Sequence, residues 1–243
     1  MSTTVAPVQA RKTRHALLVR VTHWLTVIAF SLLLFTGGEI ILTHPRFYWG
    51  ETGNVTMKPL FKIPIPSSRD TVPTGYKTVL PDENGWGRAL HFEAAWLLVF
   101  TALVYGAWGL ATGHFRRHLL PERGDWSPRA FWRDLWRSPR EKSGSATYNV
   151  AQRVAYLGVI FVLFPMVIWT GLALSPTFNA AFPWFVDVLG GRQSARTLHF
   201  FITIALTLFV VVHVTMVARS GFRNRMRGMI TGRGVESSDE EQP

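Results

Sequence analysis

The chain's 243 residues are 48% hydrophobic and only 17% charged, where a soluble domain carries roughly 25% charged residues. Mean hydropathy is positive at +0.15, so the composition is that of a bilayer protein, and the net charge of +11 reflects basic cytoplasmic loops and not a nucleic-acid surface. The absence of Cys excludes disulfides, thiolate-held zinc, iron–sulfur clusters and covalently attached c-type haem, leaving His, Met, carboxylates and backbone groups to hold any metal or cofactor.

Four apolar runs are long enough to cross a hydrocarbon core of about 30 Å. The first, ALLVRVTHWLTVIAFSLLLFTGGEIIL, predicts a helix over about 16–42. It is too long for a signal peptide, holds Arg20 and His23, and is followed by no small-residue cleavage site, so it reads as a retained span. Residues 43–88, rich in Pro, Gly and Thr and carrying FYWGETGN, predict an ordered cap at the membrane surface. The second span is expected over about 89–113 and the third over about 150–174, with a kink at Pro165. The fourth is expected over about 195–219, and residues 226–243 read as a disordered tail. No internal repeat or low-complexity tract is evident. The fold class is therefore all-α: an integral-membrane four-helix bundle, with residues 1–225 as one domain.

Orientation follows from Lys and Arg. Sixteen lie in the N-terminal segment, the 114–148 connection and the C-terminal segment, against seven in the 43–88 and third-to-fourth connections. The positive-inside rule then puts both termini in the cytoplasm and the 43–88 cap outside.

Four of the eight histidines lie inside spans: His23, His91, His199 and His213. His23 and His213 lie six or seven residues from the cytoplasmic ends of spans one and four, and His91 and His199 lie near the outer starts of spans two and four. They sort into two pairs at matched depths. Fourteen residues separate His199 from His213, about four turns and about 21 Å of rise, so both imidazoles face one interior seam. Two planar cofactors, each clamped by two imidazoles, suit this layout, and bis-histidine haem b requires no cysteine.

Glycines agree with the layering. Gly37 stands fourteen residues after His23, and Gly106 fifteen after His91. Each would leave its seam without a side chain at the layer its own histidine does not serve, although small-residue helix packing also explains them. Arg20 and Arg219 are candidates for the propionates of an inner haem, and Arg88 and Arg196 for those of an outer one, with interfacial snorkelling as the alternative.

One His in each of spans one and two and H-x13-H in span four resemble the cytochrome b subunits of bacterial nickel–iron hydrogenases, formate dehydrogenases and thiosulfate reductases. The resemblance covers roughly residues 12–225 and implies a di-haem, quinone-reactive anchor in the bacterial inner membrane. YNVAQRVAY, at the cytoplasmic start of span three, resembles that family's Tyr-Asn-x-x-Gln segment. It implies a quinone pocket of Asn149, Ala151 and Gln152 with His213 close by, although Asn149 is also a good helix cap. The long 43–88 segment departs from the hydrogenase and formate dehydrogenase patterns. Its FYWGETG stretch looks more like the thiosulfate reductase branch, whose extracytoplasmic partner is often a molybdenum enzyme of sulfite-oxidase type; an iron–sulfur or hydrogenase subunit is the other implied partner.

The function expected is electron relay between such a partner and the quinone pool, with substrate chemistry on another subunit. A haem-free transporter or channel using His as proton relays is the alternative, but it calls for acidic residues within the spans, and only Glu39 and Glu93 occur, near the outer ends. A membrane metalloenzyme would require clustered ligands such as HExxH, which the chain lacks.

Overall fold

A computed structural model describes residues 16–54, 56–65, 84–120, 150–219 and 221–232. Among the described residues, four long helices are apolar enough to cross a membrane: Leu17–Thr43, Gly85–Ala111, Gln152–Leu174 and Arg192–Arg219. The first is α1, Leu17–Thr43. Its 27 residues rise about 40 Å, which exceeds the hydrocarbon core and allows for tilt. The second, α2, runs Asn84–Ala111 and begins some five residues before its expected start, because the polar stretch NGWGR continues the helix beyond the apolar run. A short helix α3, His114–His118, follows the left-handed Gly113.

The third span is α4 (Val150–Gly158), a π-helical turn (Val159–Leu163) and α5 (Phe164–Leu174). Pro165 has no N–H to bond the carbonyl one turn back, and the wider turn just before it absorbs the mismatch. The expected kink is thus a local change of winding. Two short helices, α6 (Pro176–Ala181) and α7 (Trp184–Asp187), lead to α8, Arg192–Arg219. Beyond it α9, Phe222–Thr231, extends into residues expected to be disordered. Hydrogen bonds from Arg20 and Trp24 to its last carbonyls anchor it to α1. Residues 233–243 lie outside the described set.

Spans one and two pack along each other, as do α5 and α8. Between the two pairs, α2 and α5 approach each other, and the histidine rings of α1 and α2 meet those of α8.

The described part of the cap folds onto the N-terminus of α8. Strands β1 (Arg46–Phe47) and β2 (Phe61–Lys62) pair antiparallel, with Phe47 opposite Phe61. Phe47 stacks on Phe61 at 4.6 Å and packs against Phe200 at 4.5 Å. The first amides of a helix have no partners within it, and here the cap supplies them. Gln193 N–H donates to the Gly50 carbonyl at 2.9 Å, and Arg192 N–H donates to a Glu51 carboxylate oxygen at 2.9 Å. Gly50 N–H in turn donates to Ser194 Oγ at 2.7 Å, and Thr197 Oγ1 donates to the Tyr48 carbonyl at 2.7 Å. Glu51 also places negative charge at the positive end of the helix. Gly191, at φ 109°, makes this contact possible: a Cβ there would lie 2.6 Å from the backbone at Gly50 and Glu51.

Candidate functional site

The four intramembrane histidines meet two by two. On the side of the cap, His91 of α2 faces His199 of α8 with ring centroids 6.4 Å apart. Toward the chain termini, His23 of α1 faces His213 of α8 at 6.5 Å. Metal–imidazole bonds are about 2.0–2.1 Å long, and with each ring centre about 1.2 Å behind its nitrogen, two imidazoles on opposite sides of one metal stand about 6.4 Å apart. Both pairs have that separation.

The donor set has a matching count. Among the described residues, no group of three or more His, Asp or Glu gathers as a metal ion's own ligand set would. Imidazoles in twos supply the number that haem iron, already held by four pyrrole nitrogens, leaves open. A Cβ built at Gly106 would meet no atom within 4 Å, which suits a cradle for a flat group. The residues present therefore fit two bis-histidine haems.

The cap-side imidazoles are oriented by hydroxyls. Thr36 Oγ1 lies 2.9 Å from His91 Nδ1, and Thr170 Oγ1 lies 2.9 Å from His199 Nδ1. Both threonines are fully buried. The terminal-side imidazoles are instead surrounded by rings. Phe209 stacks against His213 at 5.8 Å, Tyr156 stands edge-on to it at 6.2 Å, and Trp24 stands edge-on to His23 at 5.4 Å.

Two of the predicted arginines, Arg20 and Arg196, bond backbone carbonyls. Arg20 Nε donates to the Met229 carbonyl at 3.3 Å, and its Nη2 donates to the Ile230 carbonyl. Trp24 Nε1 also donates to the Met229 carbonyl, at 3.3 Å. The first span thereby caps the C-terminal carbonyls of α9, where a cation is favoured by the helix dipole. Arg196 donates to the carbonyls of His44 and Arg46, the latter at 2.8 Å, and its guanidinium lies 4.9 Å over the Phe47 ring. These contacts tie α8 to the cap. Arg88 and Arg219 are exposed.

Of the predicted quinone residues, Asn149 lies outside the described residues, and the side chain of Ala151 is likewise not described. Gln152 stands at the start of α4, one turn before Tyr156. In the same segment, Arg153 is buried and donates to the Leu120 carbonyl at 3.1 Å, fixing the start of span three against the end of α3. Gly37 adjoins the cap-side pair: a Cβ there would lie 3.7 Å from His91 Cε1.

Sequence reasoning missed Thr36, Thr170, Tyr156 and Phe209. A visible signal existed for the threonines, because Thr-Gly occurs in the cap-side half of both span one and span three.

Residues 14–232 match the model of the family described as prokaryotic cytochrome b561. The chain belongs to that family. It is a cytochrome b-type membrane electron-transfer subunit, and the family binds b haem. The four apolar helices and the family together make it a multi-pass protein of the bacterial inner membrane. The chain is also similar to the putative protein-methionine-sulfoxide reductase subunit YedZ1 of Azospira oryzae, with 31% identity over 211 residues, 82% of this chain and 87% of that protein. With membership in a cytochrome family, the haem-free transporter alternative loses its ground.

Proposed function

We propose that the chain carries electrons across the membrane between a quinone site near the cytoplasmic face and an extracytoplasmic redox enzyme, using two haem b groups. The observation that supports this most is the pair of inter-imidazole separations, 6.4 and 6.5 Å, on histidines whose positions along α8 differ by about 21 Å of rise. His91 and His199 hold the outer haem, and His23 and His213 the inner one. When bound, the two haems supply one-electron carriers at two depths, so the two electrons of a quinol leave singly. Both termini are cytoplasmic in this reading, and the 43–88 cap is the face presented to the partner.

The chain's own residues position and insulate these groups. The α8 helix contributes one ligand to each layer, so its straightness sets their spacing. At the inner layer, Phe209 and Tyr156 exclude water from the His213 ring. Gln152, with Asn149 and the Ala151 backbone, hydrogen-bonds the quinone oxygens, and quinone protons exchange with the cytoplasm there. The edge-on contact of Tyr156 with His213, one turn from Gln152, supports a quinone pocket beside the inner pair. Arg20 and Arg219 remain the candidates for the inner propionates and Arg88 and Arg196 for the outer ones; Arg20 and Arg196 also bond backbone carbonyls, and a guanidinium has five N–H donors to share.

The relative described as a methionine-sulfoxide reductase subunit supports a partner that consumes electrons, hence quinol oxidation and outward flow. The FYWGETG resemblance favours a molybdenum enzyme of sulfite-oxidase type over an iron–sulfur or hydrogenase subunit. Haem quantification tests the reading. The purified chain should hold two haem b per polypeptide, both reducible by added quinol. One haem, none, or two that quinol leaves oxidised would overturn it.

A further inference from the structure

The hydroxyls of Thr36 and Thr170 each face carbonyls of their own helix on one side and an imidazole on the other. Thr36 Oγ1 lies 2.7 Å from the Leu32 carbonyl, and Thr170 Oγ1 lies 2.8 Å from the Met166 carbonyl. A carbonyl only accepts, so the single hydroxyl proton is committed to it, and the hydroxyl oxygen accepts from whatever lies on its other side. That neighbour is Nδ1 of His91 or His199, 2.9 Å away in both cases. With the hydroxyl proton on that carbonyl, each Nδ1 carries the imidazole proton, and the lone pair of Nε2 is the one left for a metal.

The glycine after each threonine completes the arrangement. A Cβ at Gly37 would lie 3.7 Å from His91 Cε1, and one at Gly171 would lie 3.4 Å from His199 Cε1. The same dipeptide thus does the same work twice. On α1 it holds the ring of the α2 histidine, and on α5 it holds the ring of the α8 histidine, each within one packed helix pair. Coincidence is a poor explanation for two hydroxyls and two glycines repeating one contact pattern on opposite sides of one site.

We infer that the two Thr-Gly pairs, Thr36-Gly37 and Thr170-Gly171, are positioning elements that set the tautomer, ring orientation and donor strength of the cap-side imidazoles, and thereby the reduction potential of the group they hold. The inference rests on the haem reading above. A hydroxyl is a neutral acceptor, weaker than a carboxylate, so it leaves each imidazole neutral while adding some basicity at Nε2. Removing that acceptor makes the ligand a poorer donor, stabilises the oxidised iron less and raises the potential.

The test is a redox titration of Thr36→Val, Thr36→Ser, Thr170→Val and Thr170→Ser in membranes, followed by haem absorption and by the low-spin ferric signals in electron paramagnetic resonance. Valine keeps the shape and removes the acceptor; serine keeps the acceptor. Thr36→Val should shift the oxidised-to-reduced ratio of one of the two components about threefold toward reduced, about 30 mV upward at 59 mV per tenfold, and should move its ferric signal. The other component should stay in place. Thr170→Val should shift the same component in the same direction, and both serine variants should titrate as the wild type. If Thr36→Val fails to accumulate, the Thr170 pair supplies the comparison. Two b haems with both valine variants unshifted, or serine variants that shift as far as valine, would overturn this inference and leave the haem reading intact. Absence of b haem from the wild type would overturn the haem reading itself.

Discussion

The two histidine pairs have nearly equal separations, 6.4 and 6.5 Å, but different surroundings. The cap-side pair is gripped by two buried hydroxyls, and α8 there is pinned by the cap through backbone hydrogen bonds and Glu51. The terminal-side pair has Trp24, Tyr156 and Phe209 packed around its imidazoles. Hydrogen bonds fix a ring's rotation as well as its place, whereas aromatic contacts, worth roughly 0.5–1.5 kcal/mol each, tolerate small rotations. A rigid layer thus faces the cap, and a more adaptable one lies beside the start of span three, where an exchangeable quinone is proposed to bind.

The largest way to break this contrast is to remove a ligand. His91→Ala or His199→Ala should abolish the cap-side haem, and His23→Ala or His213→Ala the other, each halving the haem measured against protein.

Gly191→Ala comes next. Its positive φ and the Cβ placed 2.6 Å from the Gly50 and Glu51 backbone should cost about 2–4 kcal/mol locally. The cap would lift from α8, seen as faster proteolysis within 44–65. The titration of the cap-side component should broaden while the terminal-side component is unchanged. Equal disturbance of both would show that the cap does not specifically brace the nearer pair.

Phe209→Leu removes the ring stacked on His213 and should lower stability by about 1 kcal/mol. Its spectral effect should fall on the terminal-side component only, as broadened ferric signals from freer imidazole rotation.

The smallest effect is expected of Arg20→Ala, at about 1 kcal/mol for hydrogen bonds at a partly exposed helix end. Freed carbonyls at the end of α9 should make Phe222–Thr231 exchange amide hydrogen faster, with haem content unchanged. Loss of a haem in that variant would show that Arg20 serves a propionate as well as the end of α9.

Much of this was legible in advance because the signals are local. Apolar length marks a span, and the observed helices Leu17–Thr43 and Val150–Gly158 begin within one residue of expectation. The 3.6-residue period places His199 and His213 on one seam without reference to any other helix. What stayed hidden depends on contacts between distant residues. A threonine in a membrane helix ordinarily bonds its own helix one turn back, as Thr36 and Thr170 both do. Only the crossing helix shows that their oxygens also face imidazoles. Arg20 and Arg196 sit at the right depth for propionates. Their choice of carbonyls from α9 and the cap follows from loop paths that periodicity does not encode. The docking of FYWGETG on α8 is hidden for the same reason, because Gly50 and Ser194 meet across 144 positions of sequence.

The pairing of histidines across helices is the claim on which the rest depends. It is tested most directly by redox titration with haem quantification of His91→Ala beside His23→Ala. Each variant should retain one b-type component with its own midpoint, and the two retained components together should reproduce the wild-type curve. Loss of both haems in either variant, retention of both, or the same surviving component in the two would contradict the pairing.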